Sequence, residues 1–357
     1  MAAPCRCEWI FGGLAPYNAI TMHRYRRLAR PLGIVAVLAI AAYTGLWYWQ
    51  GSIARERVDA ALAKGQVDGL RMTGSKISLG GYPFWVEVKL EDGALSGLSR
   101  FPGARITAPL VVFRYHPLTP GKWTLSTPKG LSAELPVGGS TATFSALELT
   151  ADVGPRQDAA STFNIRAGGI TMATNPANSV KLRSIRLRLE VPDKQGPEQH
   201  VGFGLALDGV TLPRRMGPLG PVIDLVEFEG QFQGDLPHQR LSVALAAWRD
   251  GGGTVELRHA HIGWDRLQLD AQGTAALDHD MQPEAAFTAE VHDWTAALDA
   301  LVDGGSLEPK AADYAKFGLT LLGGGGGESL KAPIAVQNGQ VYVEKAKLAK
   351  FPHIDWP

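Results

Sequence analysis

The chain has 357 residues, and its 35 Lys plus Arg balance 35 Asp plus Glu, so the formal net charge at pH 7 is zero. This balance excludes the strongly basic surface that binding to a nucleic-acid backbone requires, and we expect no nucleic-acid partner. The 42 Gly and 23 Pro, set against 45% hydrophobic residues, describe a folded chain with many turns and short strands.

Cysteine occurs only at Cys5 and Cys7, ahead of the first apolar segment. The rest of the chain therefore has no disulfide and no thiol nucleophile. A Cys-x-Cys pair lacks the third and fourth ligands of a zinc site, so we expect no metal there. The sequence has no Gly-x-Ser-x-Gly elbow, no His-Glu-x-x-His pair and no dinucleotide-binding fingerprint. We predict no cofactor and no enzymatic activity.

The first predicted element is a helix across residues 31–54, which carry no charged side chain. At ~1.5 Å per residue this helix is about 36 Å long, enough to cross a hydrocarbon core of about 30 Å. Three consecutive aromatic residues, 47–49, lie near its C-terminal end, and amphipathic rings of this kind favour the headgroup level of a membrane. The sequence predicts one transmembrane helix. Its anchor residues are Pro31, Leu32, Ile34, Val35, Val37, Leu38, Ile40, Trp47, Tyr48 and Trp49.

The flanking charges predict the orientation of this helix. Arginines are concentrated in residues 24–30, whereas the basic and acidic side chains of residues 55–59 nearly cancel. The positive-inside bias keeps residues 1–30 in the cytoplasm as a tail and exports residues 55–357. Met22 is an alternative start, which would leave residues 1–21 untranslated. A signal peptide cleaved after Ala54 and a buried helix of a soluble protein are the rival interpretations.

Beyond the span, helical spacing continues to Lys64, with Gly65 as the predicted end of the helix. The apolar period then changes to two, which is the period of half-buried strands. Alternation occurs at residues 84–90, 111–115, 185–191, 203–207, 241–245, 255–257, 267–269 and 341–343. The turn signals Leu207-Asp208-Gly209 and Gln337-Asn338-Gly339 join strands without a helix between them. This arrangement predicts an antiparallel sheet.

Two late segments keep helical spacing instead. The first begins at Trp294 and stops at Gly304-Gly305; Pro309 opens the second, which ends at Gly323. We predict two amphipathic helices that pack on one face of the sheet. The glycine run of residues 323–327 lacks the Gly-Lys-Ser/Thr of a phosphate-binding loop and predicts a flexible linker.

These elements define the expected architecture. The fold class is mainly β with a few helices: an N-terminal transmembrane helix followed by a large, curved antiparallel β-sheet domain over residues 55–357. Residues 192–200 are polar, and residues 213–221 are rich in proline. We therefore expect a seam within this domain near residues 195–220.

Histidines supply the candidates for a metal or acid–base site. His259 and His261 lie two residues apart and share one strand face, with Asp265 following after a turn. We favour a solvated strand face, because a catalytic metal needs three protein ligands within reach. His279 and His292 stand beside aspartates in patterns typical of turns and helix caps.

Two motifs carry a family resemblance. Gly81-Tyr82-Pro83-Phe84 opens the first long strand, and Gly263-Trp264 leads into residues 267–273. With the basic N-terminus and the single span, they resemble the uncharacterised domain-of-unknown-function family 2125 over most of residues 30–357. The resemblance implies an alphaproteobacterial envelope protein and assigns no site residues. The hairpin of residues 333–341 is similar to the ending of AsmA-type envelope proteins, whose curved sheets are thought to hold or move lipids.

Together these features favour an inner-membrane protein, crossing once with its N-terminus in the cytoplasm and its main domain in the periplasm. The favoured function is binding of lipid or another amphiphile on an apolar sheet face that few helices cover. The alternative is a scaffold that binds other envelope proteins through sheet edges or the 213–221 loop. A hydrolase with a dispersed site is a third hypothesis.

Overall fold

The computed structural model describes residues 20–64, 71–98, 103–137, 140–155, 160–174, 179–192, 200–213, 219–237, 239–305, 308–322, 329–343, 346–350 and 353–356. The chain forms two compact units, Met1–Gln50 and Gly51–Pro357. The sheet lies wholly within the second unit. Cys5, Cys7 and most of the predicted cytoplasmic tail lie outside the described residues.

Helix α1 extends over Ile20–Lys64. It includes the predicted helical spacing as far as Lys64, and the predicted stop at Gly65 lies outside the described residues. The segment Ile34–Ala60 is long and apolar enough to cross a membrane. The predicted span of residues 31–54 thus falls on one continuous helix.

Apolar side chains of this helix are largely exposed. Ile34 is 62% exposed, Val37 66% and Leu38 62%. The core helix of a soluble protein buries such side chains, whereas a membrane span turns them towards lipid. The exposure therefore favours a membrane segment over a buried helix. The side chains of Pro31 and Leu32 lie outside the described part of the chain.

The second unit is built on one sheet of 18 strands. The strands are β1 Arg71–Thr73, β2 Lys76–Gly80, β3 Val86–Ser96, β4 Arg105–His116, β5 Thr119–Ser126, β6 Leu131–Val137, β7 Ser140–Ala146, β8 Glu148–Pro155, β9 Ala160–Ala173, β10 Ser179–Pro192, β11 His200–Thr211, β12 Val222–Gln233, β13 Thr254–Trp264, β14 Leu267–Leu277, β15 Pro283–His292, β16 Ser329–Gln337, β17 Gln340–Val343 and β18 Ala346–Lys350. Every pairing between them is antiparallel, which confirms the predicted fold class.

The order of the strands is mostly that of the chain. The short strands β1 and β2 both pair with β3, and β3 pairs with β4. Beyond β4, two routes run side by side, through β5 and β8 and through β6 and β7, and both end on β9. From β9 to β18 each strand pairs with the next. Because neighbouring strands twist by about 20–25°, a sheet this wide curves.

A kink across three strands reverses which residues face the core. Gly169 in β9 and Gly209 in β11 have φ of +59° and +58°. Residues other than glycine rarely adopt this backbone conformation. Alternation restarts beyond them, so that Ile170, Leu182 and Val210 come to lie in one buried cluster. Asp208-Gly209, predicted as a turn, is therefore a kink inside β11. The predicted turn at Asn338-Gly339 is confirmed, with both residues at positive φ.

Three further helices follow the chain: α2 Leu241–Asp250, α3 Trp294–Asp303 and α4 Pro309–Leu322. Helices α3 and α4 lie where the sequence predicted them. Helix α2 corrects the strand predicted at residues 241–245. The alternation there covers only five residues, and Ala244, Leu245 and Trp248 also match a helical stripe, which is the one that the structure buries.

The expected seam falls in the region where β10, β11 and β12 pair with one another. Residues 193–199 and 214–218 lie outside the described part. On either side of them, β10 pairs with β11 and β11 with β12 along most of their lengths. In the described ranges this part of the second unit is one continuous sheet.

Candidate functional site

One face of the sheet carries rows of apolar side chains that run across the strands. Residues paired between adjacent strands point to the same face, so the register places them in rows. The first apolar row is Val86, Tyr115, Trp123, Val153, Phe163, Leu189, Phe203, Gly230, Leu257, Gly273, Phe287, Ile334 and Val343. At ~4.8 Å between strands, this row is roughly 60 Å long.

A second apolar row lies beside the first on the same face. It consists of Leu79, Val88, Phe113, Leu125, Ala151, Ile165, Leu187, Leu205, Phe228, Ala260, Ala271, Ala289 and Ala332. The side chains shrink from Phe228 to alanine beyond β12.

The opposite face of the same strands is charged. Arg166, Arg186, Glu227, His261 and Asp270 follow one another across β9 to β14 in one row, interrupted only by Ala206. Arg186 lies 3.9 Å from the Glu227 carboxylate, and Arg166 pairs with Asp152. Exposed pairs of this kind add little to stability. Their consequence is that one face of the sheet is suited to water and the other is not.

The apolar face encloses a groove over β10 to β15, with a cavity volume of about 760 Å³. We call this the apolar groove. It is lined by Leu187, Leu189, Val191, Pro192, Val201, Phe203, Leu205, Phe228, Phe232, Gly234, Asp235, Leu236, Val255, Leu257, Ala275 and Phe287. Asp235 is exposed at the rim and is the only charged residue among the described residues of this lining.

The groove is open rather than filled. Leu187, Leu189, Phe203, Leu205 and Phe228 are all only half-buried, although they lie in the middle of the sheet. A closed core packs such residues to near-complete burial. Periodicity in the sequence could not separate these two arrangements, because both give the same alternation.

Helix α2 borders the groove at one end. The Trp248 ring stacks on Phe232 with ring centroids 4.5 Å apart, and its Nε1 donates a hydrogen bond of 2.7 Å to the carbonyl oxygen of Gln233. Gly253 lies directly against the indole, where a Cβ would come within 2.2 Å of Trp248 Cε2. Helix α2 is thereby fixed to β12, and its Trp248 ring stacks on Phe232, which lines the groove.

The charged face brings two histidines together on one carboxylate. Asp270 in β14 lies 2.9 Å from His261 Nδ1 through one oxygen and 3.1 Å from His292 Nε2 through the other. The His259 ring lies parallel to that of His261, with centroids 6.4 Å apart. His259 and His261 do share a strand face, as predicted. Asp270 was missed because it lies on the next strand, and only the register of β13 and β14 would have pointed to it.

The other residues of the predicted cluster lie apart from this pair. Asp265 occupies the turn after β13, and its amide donates to the Asp224 carboxylate at 3.3 Å. Asp278, beside His279, accepts hydrogen bonds from two amides of its own turn, which is the predicted turn chemistry. Asp293 is the N-cap residue of α3 but makes no capping hydrogen bond through its side chain, so the helix cap predicted beside His292 is not formed by that side chain. His292 itself pairs with Asp270.

The histidine pair does not form a metal site. In the part of the chain that the structure describes, no group of three His, Cys, Asp or Glu side chains is placed to hold a metal ion. Asp270 lies between His261 and His292 and binds one with each oxygen, so the three do not converge on a point. The glycine run of residues 323–327 lies outside the described residues.

The pKa of Asp270 reflects this pairing. Partial burial by itself raises the pKa of the carboxyl, but the hydrogen bonds and charges of His261 and His292 outweigh it and hold the pKa below its usual value. A carboxylate with a lowered pKa stabilises the folded state above the unfolded pKa of about 3.9. This contribution is lost as the pH falls through the lower pKa of the folded state.

Asp270→Asn is therefore expected to destabilise the protein at neutral pH by about 1 kcal/mol, a modest figure because the side chain is 35% exposed. The difference from the parent should shrink as the pH falls from neutral through the lowered pKa of Asp270, because the carboxyl then becomes neutral like the amide of the variant. Chemical denaturation of the detergent-purified proteins at a series of falling pH values measures it. A difference that stays the same over the series would show that the ion pairs contribute nothing.

The turn with the family-like motif precedes β3. Gly81 has φ of +89°, and the Trp85 amide donates to its carbonyl oxygen at 2.8 Å. A Cβ at Gly81 would lie 2.5 Å from the Trp85 carbonyl oxygen, so the turn requires glycine there. Tyr82 and Phe84 project from it and are 49% and 68% exposed. Phe84, predicted as part of the strand, lies just before it.

Comparisons with known proteins identify the family alone. No curated protein and no solved structure matches the chain. The likeness of residues 333–341 to AsmA-type proteins therefore stays a prediction. The family suggested by the motifs is confirmed. With a match over residues 47–352, the chain belongs to the family described as "Uncharacterized protein conserved in bacteria (DUF2125)".

Proposed function

We propose that this protein is an inner-membrane-anchored periplasmic protein that binds lipid or another amphiphile in the apolar groove, as part of envelope maintenance. One observation carries the proposal. A cavity of about 760 Å³, lined by half-buried leucine, valine and phenylalanine side chains, lies on a sheet whose other face is charged. An alkyl chain is the ligand that such a lining accommodates.

The size of the cavity supports a ligand of this class. Sites for small molecules and cofactors have volumes of about 300–1,000 Å³ and are mostly apolar with a few polar groups. Each methylene of an alkyl chain removed from water contributes about 0.8 kcal/mol. The exposed carboxylate of Asp235 at the rim leaves the headgroup in contact with water.

Location supports the same function. Helix α1 has a segment, Ile34–Ala60, that is able to cross a membrane, and the basic residues 24–30 precede it. The bias of basic residues towards the cytoplasm supports a periplasmic location for the sheet. A reporter enzyme that is active only in the cytosol, fused after Pro357, is expected to stay inactive. Reporter activity in intact cells would contradict this topology.

Photo-crosslinking tests the proposal. The full chain is reconstituted into vesicles that contain phosphatidylglycerol with a diazirine in one acyl chain, and the cross-linked peptides are mapped by mass spectrometry. We expect adducts on groove residues of β10, β11 and β12, such as Leu189, Phe203 and Phe228, besides those on α1. Adducts confined to α1 would contradict the proposal, because lipid would then surround the anchor without entering the groove.

A further inference from the structure

Two adjacent turns place apolar side chains together at one end of the strands. The turn of residues 81–85 leads into β3, and the turn of residues 117–118 joins β4 to β5. Val86 pairs with Tyr115 across β3 and β4, so the two turns lie side by side. The Trp85 ring meets the His116 ring edge-on at 5.6 Å, and the Leu118 amide donates to His116 Nδ1 at 3.1 Å.

These turns expose large apolar side chains. Phe84 is 68% exposed and Leu118 64%, and beside them Tyr82 and Trp85 are exposed as well. We call these four residues the mouth patch, because Val86, the first residue of the first apolar row, follows Trp85 directly. Contiguous exposed side chains of this size mark a surface that meets protein or membrane.

The C-terminal part of α1, from Gly51 onwards, lies against this end of the sheet. A Cβ at Gly51 would lie 3.5 Å from Leu79 Cδ1 and 4.0 Å from Val86 Cγ1. The turn of residues 81–85, which carries Tyr82, Phe84 and Trp85 of the mouth patch, connects those two strand positions. In the sequence, Gly51 follows the aromatic trio of residues 47–49 and precedes Arg55, the first charged residue after the apolar stretch. Gly51 thus lies near the C-terminal end of the charge-free stretch of α1.

Basic groups accompany the patch. The Arg114 guanidinium lies over the Trp85 ring, 5.8 Å from its centroid, and also pairs with Glu87 at 2.6 Å. Arg114, His116 and the exposed Lys122 line a cavity of about 650 Å³ together with Trp85. Aromatic rings combined with cations are the composition of surfaces that sit among lipid headgroups, where anionic lipids attract the cations.

We infer that the mouth patch rests in the headgroup region of the bilayer that α1 crosses. This inference rests on the proposed function, since it places the sheet domain against the membrane that would supply the lipid. The lipid surface is favoured over a protein partner, because residues 79–86 are tied to the helix at Gly51. The family-like motif at residues 81–84 is then a membrane contact rather than part of a catalytic site.

A fluorescent probe at Phe84 tests the inference. In the full chain with Cys5→Ser and Cys7→Ser, Phe84→Cys is labelled with the environment-sensitive fluorophore NBD. The protein is reconstituted into vesicles of phosphatidylcholine and phosphatidylglycerol. Phe317→Cys is the matched control, since Phe317 is also 68% exposed but lies on α4, which the chain reaches from the end of β15 opposite to the patch. Circular dichroism of both labelled proteins checks that the fold is retained.

We expect a blue-shifted emission at position 84 and several-fold stronger quenching by spin-labelled lipids than at position 317. Equal quenching at both positions would overturn the inference. Protection from water without quenching by lipid would also overturn it, since a second copy or another protein would then cover the patch. Photo-crosslinks on β10 to β12 in the same vesicles are read separately. Their presence without quenching at Phe84 refutes the mouth patch alone, and their absence refutes the groove.

Discussion

Leu205→Glu is expected to abolish photo-crosslinking of lipid to the groove. Leu205 lies in the second apolar row between Leu187 and Phe228 and lines the cavity. A carboxylate among these side chains has no cationic partner within the lining, and an alkyl chain placed beside it would remove its water. Burying an unpaired polar group costs several kcal/mol, and ~1.4 kcal/mol corresponds to a tenfold loss of affinity.

The adjacent residue provides a matched control. Gly204 points to the charged face of the same strand, and a Cβ there would meet only Arg188 Cβ at 3.9 Å. Gly204→Glu adds the same charge to β11 one residue away, beside an arginine. We expect it to cross-link as the parent does. Equal loss in both variants would mean that charge on β11 disturbs the sheet, and the groove would not be needed to explain it.

A neutral variant separates charge from space. Leu205→Trp adds no charge but reduces the volume of the groove, so cross-linking on β10 to β12 should fall while adducts on α1 remain. Leu205 is only half-buried, which leaves the folded sheet able to accept a larger ring with modest strain. If lipid still cross-links to Phe203 and Phe228 in both Leu205 variants, the acyl chain does not occupy the groove.

The alternation of apolar residues predicted most of this architecture. In β3, β10 and β11 one face is apolar over many residues, so period two is unambiguous there and the antiparallel sheet follows. At residues 241–245 the run is short and satisfies both periods. The structure chooses the helix because Trp248, three residues after Leu245, finds a place against Phe232. That contact joins segments that the sequence gives no reason to pair.

The candidate site was less predictable than the fold, for a physical reason. A row such as Leu187, Leu205 and Phe228 is created by the register between strands, and alternation within each strand does not determine that register. The pairing of Asp270 with His261 and His292 has the same origin. Whether the apolar face is covered depends on where three short helices dock, and their own amphipathic stripes do not specify it.

The two faces of the sheet explain why a groove remains. The charged row on one face keeps that side in water, so only helices and connecting segments on the other side can cover the apolar face, and α1 does so at Leu79 and Val86. α2 fixes itself at the end of β12, and α3 and α4 follow β15. Between these points, the middle strands β10 to β12 keep half-buried side chains. An apolar ligand in the groove would remove the exposed part of these side chains from water, which the helices of the protein do not do.

Trp248→Ala is expected to lower the free energy of unfolding by about 3–5 kcal/mol, the usual loss for a buried tryptophan. Trp248 is 3% exposed, stacks on Phe232 and donates to the Gln233 carbonyl oxygen. Its removal opens a cavity above Gly253 and releases α2 from β12. Chemical denaturation in detergent measures the loss. Val243→Ala, at a position on the same helix that is 50% exposed, is the control and should change stability by less than about 0.5 kcal/mol. Similar small effects in both variants would mean that α2 is not fixed to the sheet through Trp248.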